Sequence, residues 1–148
     1  MKKQDQTLID FQDDWGKLVD KAFTNYLSLS PDERIWFNIE ALIGDVDNGG
    51  LISHYYNSGA DYNKQTIEDL YSLGFPAIAA LLMQMNSLFP DGQPSTDIDE
   101  RNEVIDNWPE GEYDALSQEL DQQFYSMEAE LESKLVQHIQ TKLRLVDS

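Results

Sequence analysis

Apolar residues recur at three- and four-residue intervals along most of the chain, and this spacing limits the possible folds more than any other feature. One such stripe comprises Leu8, Phe11, Trp15, Leu18, Ala22 and Tyr26, and Ile9, Val19 and Phe23 widen it. No segment alternates apolar and polar residues with the period of two that a half-buried strand shows. The sequence therefore predicts an all-α, single-domain helical bundle of about six to eight helices. Within this domain, residues 1–148, we distinguish a core (1–90), an acidic segment (91–113) and C-terminal helices (114–148).

Turn and capping signals divide the chain into these helices. Ser30 precedes Pro31 and Glu33, which predicts a capped helix start. Adjacent glycines destabilise a helix, so the segment Asp45–Gly50 predicts the end of that helix. Later signals are Asn63 as a helix cap, Gly74 as a left-handed helix terminus, Pro76 as the start of a buried helix, and a break in the last helix at Tyr125-Ser126.

The chain is strongly acidic, and the charge is unevenly distributed. Its 28 Asp and Glu residues outnumber its 10 Lys and Arg residues, which gives a formal net charge of −18. Residues 91–133 hold 14 carboxylates and one cation, Arg101, so this stretch alone carries −13. Such a chain lacks the basic surface that binds nucleic acid phosphates, and anionic membranes repel it. We therefore predict neither direct nucleic acid binding nor membrane binding.

The acids in residues 97–114 are spaced along a segment with a weak helical pattern. If residues 97–107 are helical, Asp99, Glu103 and Asp106 share one face, with neighbours about 5–6 Å apart. Solubility explains many acidic surfaces. Alternatively, a row of carboxylates on a rigid helix presents negative charge to a basic protein as DNA phosphates do. The candidate phosphate surrogates are Asp97, Asp99, Glu100, Glu103, Asp106, Glu110, Glu112 and Asp114.

Residue types that support catalysis or metal binding are sparse. The chain has no Cys, which excludes thiolate catalysis and disulfides. His54 and His138 have no second ligand at metal-binding spacing, and we interpret both as ordinary surface or core-edge residues. The segment from Asp45 begins like a calcium loop, but Gly49 and Tyr56 occupy two of its ligand positions. We predict that the chain is not an enzyme and has no metal and no cofactor.

The sequence shows neither the pattern of a signal peptide nor that of a membrane-spanning helix. Lys2 and Lys3 are not followed by an apolar stretch, and the longest apolar run, Ala77 to Met83, is far shorter than the ~20 residues that span a bilayer. A cytoplasmic location is therefore predicted.

Trp108, beside Pro109 in the acidic segment, is either a core residue or an anchor for a partner, because tryptophan is favoured at interface hot spots.

Several motifs in residues 29–90 resemble the bacterial DMP-type DNA-mimic family, whose domain is otherwise of unknown function. The motifs are Leu29-Ser30-Pro31 with Arg34, Asp45-Val46-Asp47-Asn48-Gly49-Gly50-Leu51, His54-Tyr55-Tyr56-Asn57-Ser58-Gly59, and Leu70 with Leu73-Gly74-Phe75-Pro76. The acidic remainder matches loosely, and Asp47 stands where the family commonly has Asn. The motif residues expected to be structural are Asn48, Gly49, Gly50, Tyr55, Asn57, Gly59 and Gly74; alternatively, the polar aromatic residues of this block form a small pocket.

The resemblance implies an all-helical bacterial protein that takes the place of DNA on a transcription factor. Combined with the −13 stretch, it predicts an acidic DNA mimic that binds the basic surface of a DNA-binding protein and regulates transcription by blocking access to DNA. The alternative is a helical adaptor or immunity-type protein that uses the Asn48–Gly59 surface, with acidity serving solubility. The partner is unidentified, and both a monomer and a homodimer are compatible with the sequence.

Overall fold

The computed structural model describes residues 6–143, and this range contains seven α-helices and no strand. The helices are α1 (Gln12–Asn25), α2 (Pro31–Gly49), α3 (Leu51–Tyr56), α4 (Asn63–Leu73), α5 (Pro76–Asn86), α6 (Ile98–Asp106) and α7 (Asp114–Lys142). Short 3₁₀ segments lie at Leu8–Phe11, Tyr26–Ser28, Ser58–Tyr62 and Pro90–Gly92. The predicted all-α class and number of helices are confirmed. No helix in residues 6–143 combines the length and apolar character needed to cross a bilayer.

Helix α2 lies at the centre of the bundle and packs against α1, α3, α4 and α7. Its residues Ile39, Leu42 and Val46 are fully buried. One hydrophobic core takes side chains from every helix, including Leu18, Leu42, Leu51, Leu70, Leu82, Ile105 and Leu131. Helix α6 joins this core at one end, where it packs on α3 and on the 3₁₀ segment Ser58–Tyr62. The acidic segment is therefore attached to the bundle as a folded element.

Two of the predicted helix boundaries are confirmed in detail, and one is wrong. Ser30 caps α2, with its Oγ accepting from the Glu33 amide at 3.1 Å, and Gly74 ends α4 with a φ of 97°. Helix α2 does not end at Asp45 but continues to Gly49. It continues because Val46 is buried in the core, and packing outweighs the low helix propensity of the glycines. The end comes at Gly50, whose φ is 83°.

Two further local predictions are wrong because tertiary contacts replace the local signals. Helix α7 is 29 residues long and continues through Tyr125 without a break. The Tyr125 hydroxyl donates to the Val46 carbonyl at 2.9 Å. Asn63 does not cap α4; its buried side chain accepts from Asn86 Nδ2 at 2.8 Å and donates to the Tyr55 hydroxyl at 3.3 Å. Helical spacing also places Val146 on the apolar face of the last helix, but this residue lies outside the described part of the chain.

Some apolar residues assigned to inward faces are exposed. Ile9 and Phe23 have 77% and 83% of their surface exposed, and Tyr71, which helical spacing from Ile67 places on the inward face of α4, has 51%. Helix α1 packs mainly on α2, so only the narrow stripe containing Leu18 and Ala22 is covered. The apolar stripe in the sequence is therefore wider than the contact that the fold provides.

Candidate acidic partner-binding surface

Helix α6 forms around a cap made by one of the predicted surrogate acids. Asp97 Oδ1 accepts hydrogen bonds from the amides of Asp99 at 2.8 Å and Glu100 at 3.2 Å. Carboxylates favour helix N-termini because the helix dipole and the free amides are positive there. Asn107 follows the last turn, and its side chain donates to the Glu103 carbonyl at 2.8 Å. This explains how a segment with weak helical character forms a defined helix.

The inner face of α6 is fixed by Arg101, the only cation in residues 91–133. Its side chain is 0% exposed. The guanidinium donates to the carbonyls of Tyr55, Asn57 and Ser95, each at 2.8 Å, and to the Asp61 carboxylate at 3.0 Å. The positive charge that would partly neutralise this acidic stretch is therefore inside the protein. The same contacts fasten α6 to α3 and to the segment that follows it.

The outer face of α6 carries a row of exposed carboxylates. At about 100° per residue, Asp99, Glu103 and Asp106 lie on the side of the helix opposite Arg101. All three are exposed, and none forms an ion pair with a residue in the described part of the chain. Asp106 Oδ1 accepts from the Tyr56 hydroxyl at 3.0 Å, which orients that carboxylate.

The other surrogate candidates extend this surface from the start of α6 to the start of α7. Glu100 lies beside the outer face and accepts from Ser95 Oγ at 3.1 Å. Glu110 and Glu112 lie in the connection between α6 and α7, and Asp114 begins α7. We call the eight side chains together the acidic surface, and each of them is exposed: Asp97, Asp99, Glu100, Glu103, Asp106, Glu110, Glu112 and Asp114.

The acids of α7 do not simply continue the acidic surface, because they occupy two sides of the helix. Glu119 and Glu130 are exposed, whereas Asp121, Glu128 and Glu132 are partly covered. Asp121 Oδ1 accepts from the Leu51 amide at 2.8 Å, a bond that joins α7 to the start of α3. Part of the −13 stretch therefore stabilises the fold instead of facing a partner.

A second group of carboxylates lies between α2 and α7, where two of them have raised pKa values. Burial raises the pKa of Glu40 to about 7, with a smaller contribution from Glu132, although Trp36 Nε1 donates to Glu40 at 2.8 Å and opposes the shift. Burial also raises the pKa of Glu128 to about 7, together with the hydrogen bond and charge of nearby Asp47. The formal charge therefore overstates the negative charge at this position near neutral pH.

Three glycines of the family motif lie close against neighbouring side chains, whereas Gly74 has open space around it and a positive φ. Gly50 has a φ of 83°, and a Cβ there would lie 2.5 Å from Asp121 Oδ2. A Cβ on Gly59 would lie 3.1 Å from His54 Cε1, and one on Gly49 would lie 3.2 Å from Ser53 Cβ. These close approaches give the glycines packing roles, as the structural interpretation of the motif expects.

Of the polar motif residues, Tyr55 is buried, whereas Asn48 and Asn57 are exposed. Tyr55 is fully buried, with its hydroxyl 2.7 Å from Asn86 Oδ1. Asn57 Nδ2 donates to Asp45 Oδ1 at 3.1 Å. These contacts favour the structural interpretation over a pocket formed by this block. Asn48 is exposed on the last turn of α2, and none of its contacts explains its place in the motif.

The two histidines are more buried than the sequence analysis expects. His54 is 0% exposed, with Nδ1 2.8 Å from Asp45 Oδ2, so its assignment as a surface or core-edge residue is wrong. His138 is also largely buried, and its Nε2 lies 3.0 Å from the Asp32 carbonyl.

Asp45 lies on a continuous helix and contacts His54 and Asn57, which is not the geometry of a calcium loop. Within residues 6–143, no group of three His, Cys, Asp or Glu side chains is placed to hold a metal.

Two features of this region escape the sequence analysis. One is the inward orientation of Arg101, although a lone cation four residues before the apolar Ile105 is a usable signal for it. The other is a row of aromatic rings, Tyr55, Phe89, Trp108 and Tyr113, whose successive centroids lie 5.4, 5.2 and 5.1 Å apart. Tyr55, Phe89 and the pair Trp108 and Tyr113 come from three separate segments, so their proximity is not visible in the sequence.

Comparison with known proteins identifies a family. No curated protein and no solved structure matches the chain significantly. A family model described as DMP19-like protein matches residues 27–142, well over half of the chain. The match includes the motif block in α2 and α3, the acidic surface and all of α7. The chain therefore belongs to the DMP19-like protein family.

Proposed function

We propose that this protein is a DNA mimic that binds the basic DNA-binding surface of a transcription factor or another DNA-binding protein and blocks its access to DNA. The observation that carries the proposal is the combination of an exposed row of carboxylates on α6 with the burial of Arg101 beneath it. A partner approaching this face meets uncompensated negative charge on a rigid helix. Family membership agrees with the resemblance to DMP-type DNA mimics.

The electrostatics support binding to a basic protein. The exposed carboxylates of α6 repel one another across its outer face, which costs a few tenths of a kcal/mol per pair. Cationic side chains of a partner relieve this repulsion when they bind. Complementary charge chiefly raises the association rate and specificity, so the interaction is expected to weaken steeply with salt.

An adaptor that binds through the Asn48–Gly59 surface is the weaker candidate. His54 and Tyr55 in this segment are fully buried, and the glycines pack against neighbouring side chains. A partner would therefore reach the exposed side chains of Asn48, Tyr56, Asn57 and Ser58, but not the buried rings of His54 and Tyr55. We also propose that the protein acts by binding and not by catalysis, in the cytoplasm of a bacterial cell.

Affinity capture from host lysate at low salt tests the proposal, with the Asp99→Asn, Glu103→Gln, Asp106→Asn triple variant as the comparison. We expect the wild-type chain to capture a DNA-binding protein that duplex DNA displaces, and the triple variant to lose that capture. The proposal is wrong if the captured proteins bind no nucleic acid, or if DNA leaves them bound.

A matched control separates local charge from total charge. The Asp13→Asn, Asp20→Asn, Glu130→Gln variant removes the same three negative charges at exposed positions on α1 and α7. A DNA mimic that uses the acidic surface keeps its partner in this control. Equal loss of binding in both triple variants would mean that total charge, not the α6 carboxylates, attracts the partner.

A further inference from the structure

An apolar groove lies directly beside the acidic surface. Its volume is about 640 Å³, and its apolar lining comes from Leu88, Phe89, Pro90, Val104 and Trp108. A smaller depression of about 240 Å³ shares Leu88 and Trp108 with this groove and is lined in part by Met85, Ile105 and Pro109. Trp108 therefore lines two openings with apolar walls, within a segment that is otherwise highly charged.

Four carboxylates of the acidic surface line these two openings. Glu100 and Glu103 belong to the larger one, and Glu110 and Asp114 belong to the smaller one. All four are exposed and have no ion-pair partner in residues 6–143. The arrangement is an apolar floor with two carboxylates at each opening.

The floor is held in place by aromatic packing. The Trp108 ring lies 5.2 Å from Phe89 and 5.1 Å from Tyr113, in edge-to-face contacts. The half-buried indole makes no hydrogen bond to any described residue, whereas Trp36 Nε1 donates to Glu40. A buried tryptophan N–H usually donates to a partner within the protein. The Trp108 N–H has no such partner among the described residues, so it is available to an acceptor on a bound chain.

These features match a particular kind of partner. Phosphate mimicry alone requires carboxylates and no apolar floor. A groove that takes one or two apolar side chains, with carboxylates in its lining, fits a helix that displays those side chains between Lys and Arg residues. Buried anchors of this kind supply most of the binding energy at protein interfaces, while surrounding charges guide association.

We propose that the partner presents a basic amphipathic helix, a proposal that rests on the proposed function. The apolar side chains of this helix enter the groove at Trp108, and its cations pair with Glu100, Glu103, Glu110 and Asp114. The carboxylates then bring many basic proteins to the surface. The groove retains those with a fitting apolar residue, which gives the mimic a means of selecting its target.

Two synthetic helical peptides with the same number of Lys and Arg residues test this proposal. The anchored peptide carries two Leu residues on one face, and the unanchored peptide carries Ser in their place. Burial of a leucine side chain is favourable enough that we expect the anchored peptide to bind the wild-type chain at least about tenfold more tightly.

Two variants assign that difference to the groove. The Val104→Ser, Trp108→Phe variant should remove the preference for the anchored peptide and leave the salt dependence unchanged. The Glu100→Gln, Glu103→Gln variant should weaken both peptides equally and reduce the salt dependence. Circular dichroism establishes that each variant is folded.

A measurement on the wild-type sequence covers the case in which the groove variant does not fold. The three tryptophans are replaced biosynthetically by 5-fluorotryptophan and followed by ¹⁹F NMR, with the Trp108 resonance assigned by its absence in Trp108→Phe or, failing that, by its solvent exposure. We expect the anchored peptide alone to shift this resonance.

Equal affinity for the two peptides, with no shift of the Trp108 resonance, would overturn the groove proposal and leave the DNA-mimic proposal intact. Absence of binding by both peptides at low salt would also overturn the groove proposal. The DNA-mimic proposal is judged separately, by the capture experiment with the triple variant, so the two failures are distinguishable.

Discussion

Replacement of Arg101 by Met is the change that most directly tests how the acidic helix is attached to the bundle. The substitution removes a side chain that is 0% exposed and makes four hydrogen bonds to three carbonyls and one carboxylate. Met occupies similar volume and satisfies none of these acceptors. The carbonyls of Tyr55 and Asn57 and the Asp61 carboxylate then lose their donor.

The expected cost follows from this geometry. Removal of one partner from a fully buried ionic network costs about 3–5 kcal/mol, and we expect a loss at the lower end of this range because the Asp61 carboxylate is 30% exposed. Folded domains of this size are stable by about 5–15 kcal/mol, so the loss is a large fraction of the total. Arg101→Lys keeps the charge but replaces a planar guanidinium by a single ammonium, and we expect an intermediate loss.

Urea unfolding followed by circular dichroism at 222 nm gives the free energy of unfolding of each variant. Lys21→Met is the control, because Lys21 also pairs with a carboxylate, at 2.9 Å, but is 44% exposed. Exposed pairs contribute less than about 1 kcal/mol, so the control should remain close to wild type. If Arg101→Met lowers the free energy of unfolding by no more than Lys21→Met does, Arg101 does not fasten α6.

Three further predictions concern the helices that support the site. Gly50→Ala should clearly lower the melting temperature, because φ at this position is 83° and the new Cβ would lie 2.5 Å from Asp121 Oδ2. Gly16→Ala should instead raise the melting temperature, because Gly16 lies on α1 with open space around it. The pKa of Glu40 is raised to about 7 in the folded state, so the folded chain binds a proton more tightly than the unfolded chain does. The stability of the protein therefore falls as pH rises from about 4.5 to 7. Glu40→Gln should stabilise the protein at about pH 8 and have little effect at about pH 4, as measured by urea midpoints. Ser30→Ala should lower the free energy of unfolding by about 1 kcal/mol in the same assay, since it removes the acceptor for the Glu33 amide, and an unchanged value would mean that the cap does not stabilise α2.

The features that could be predicted from the sequence are those that depend on nearby residues. The capping box at Ser30 involves groups three residues apart, and the left-handed end of α4 requires only that Gly74 adopt a positive φ. The shared face of Asp99, Glu103 and Asp106 follows from helical spacing alone. These predictions were therefore accurate without knowledge of the packing.

The errors arise where distant residues decide the structure. The core contact of Val46 carries α2 through residues that favour a helix end, and the bond from Tyr125 to the Val46 carbonyl joins α7 to α2 beyond a predicted break. The buried pair of His54 and Asp45 depends on the angle between α2 and α3. The groove at Trp108 likewise combines α6 with the segments that follow α5 and α6, which no local pattern reveals.

The displacement of DNA from a captured DNA-binding protein tests the central proposal most directly. A fluorescent duplex is bound to that protein at low salt, and this chain is then added while the anisotropy of the duplex is recorded. A DNA mimic that uses the acidic surface returns the anisotropy to the value of the free duplex, and the Asp99→Asn, Glu103→Gln, Asp106→Asn variant requires a much higher concentration to do so. An anisotropy that stays constant or rises while this chain binds would mean that protein, DNA and chain form one complex, which contradicts the account.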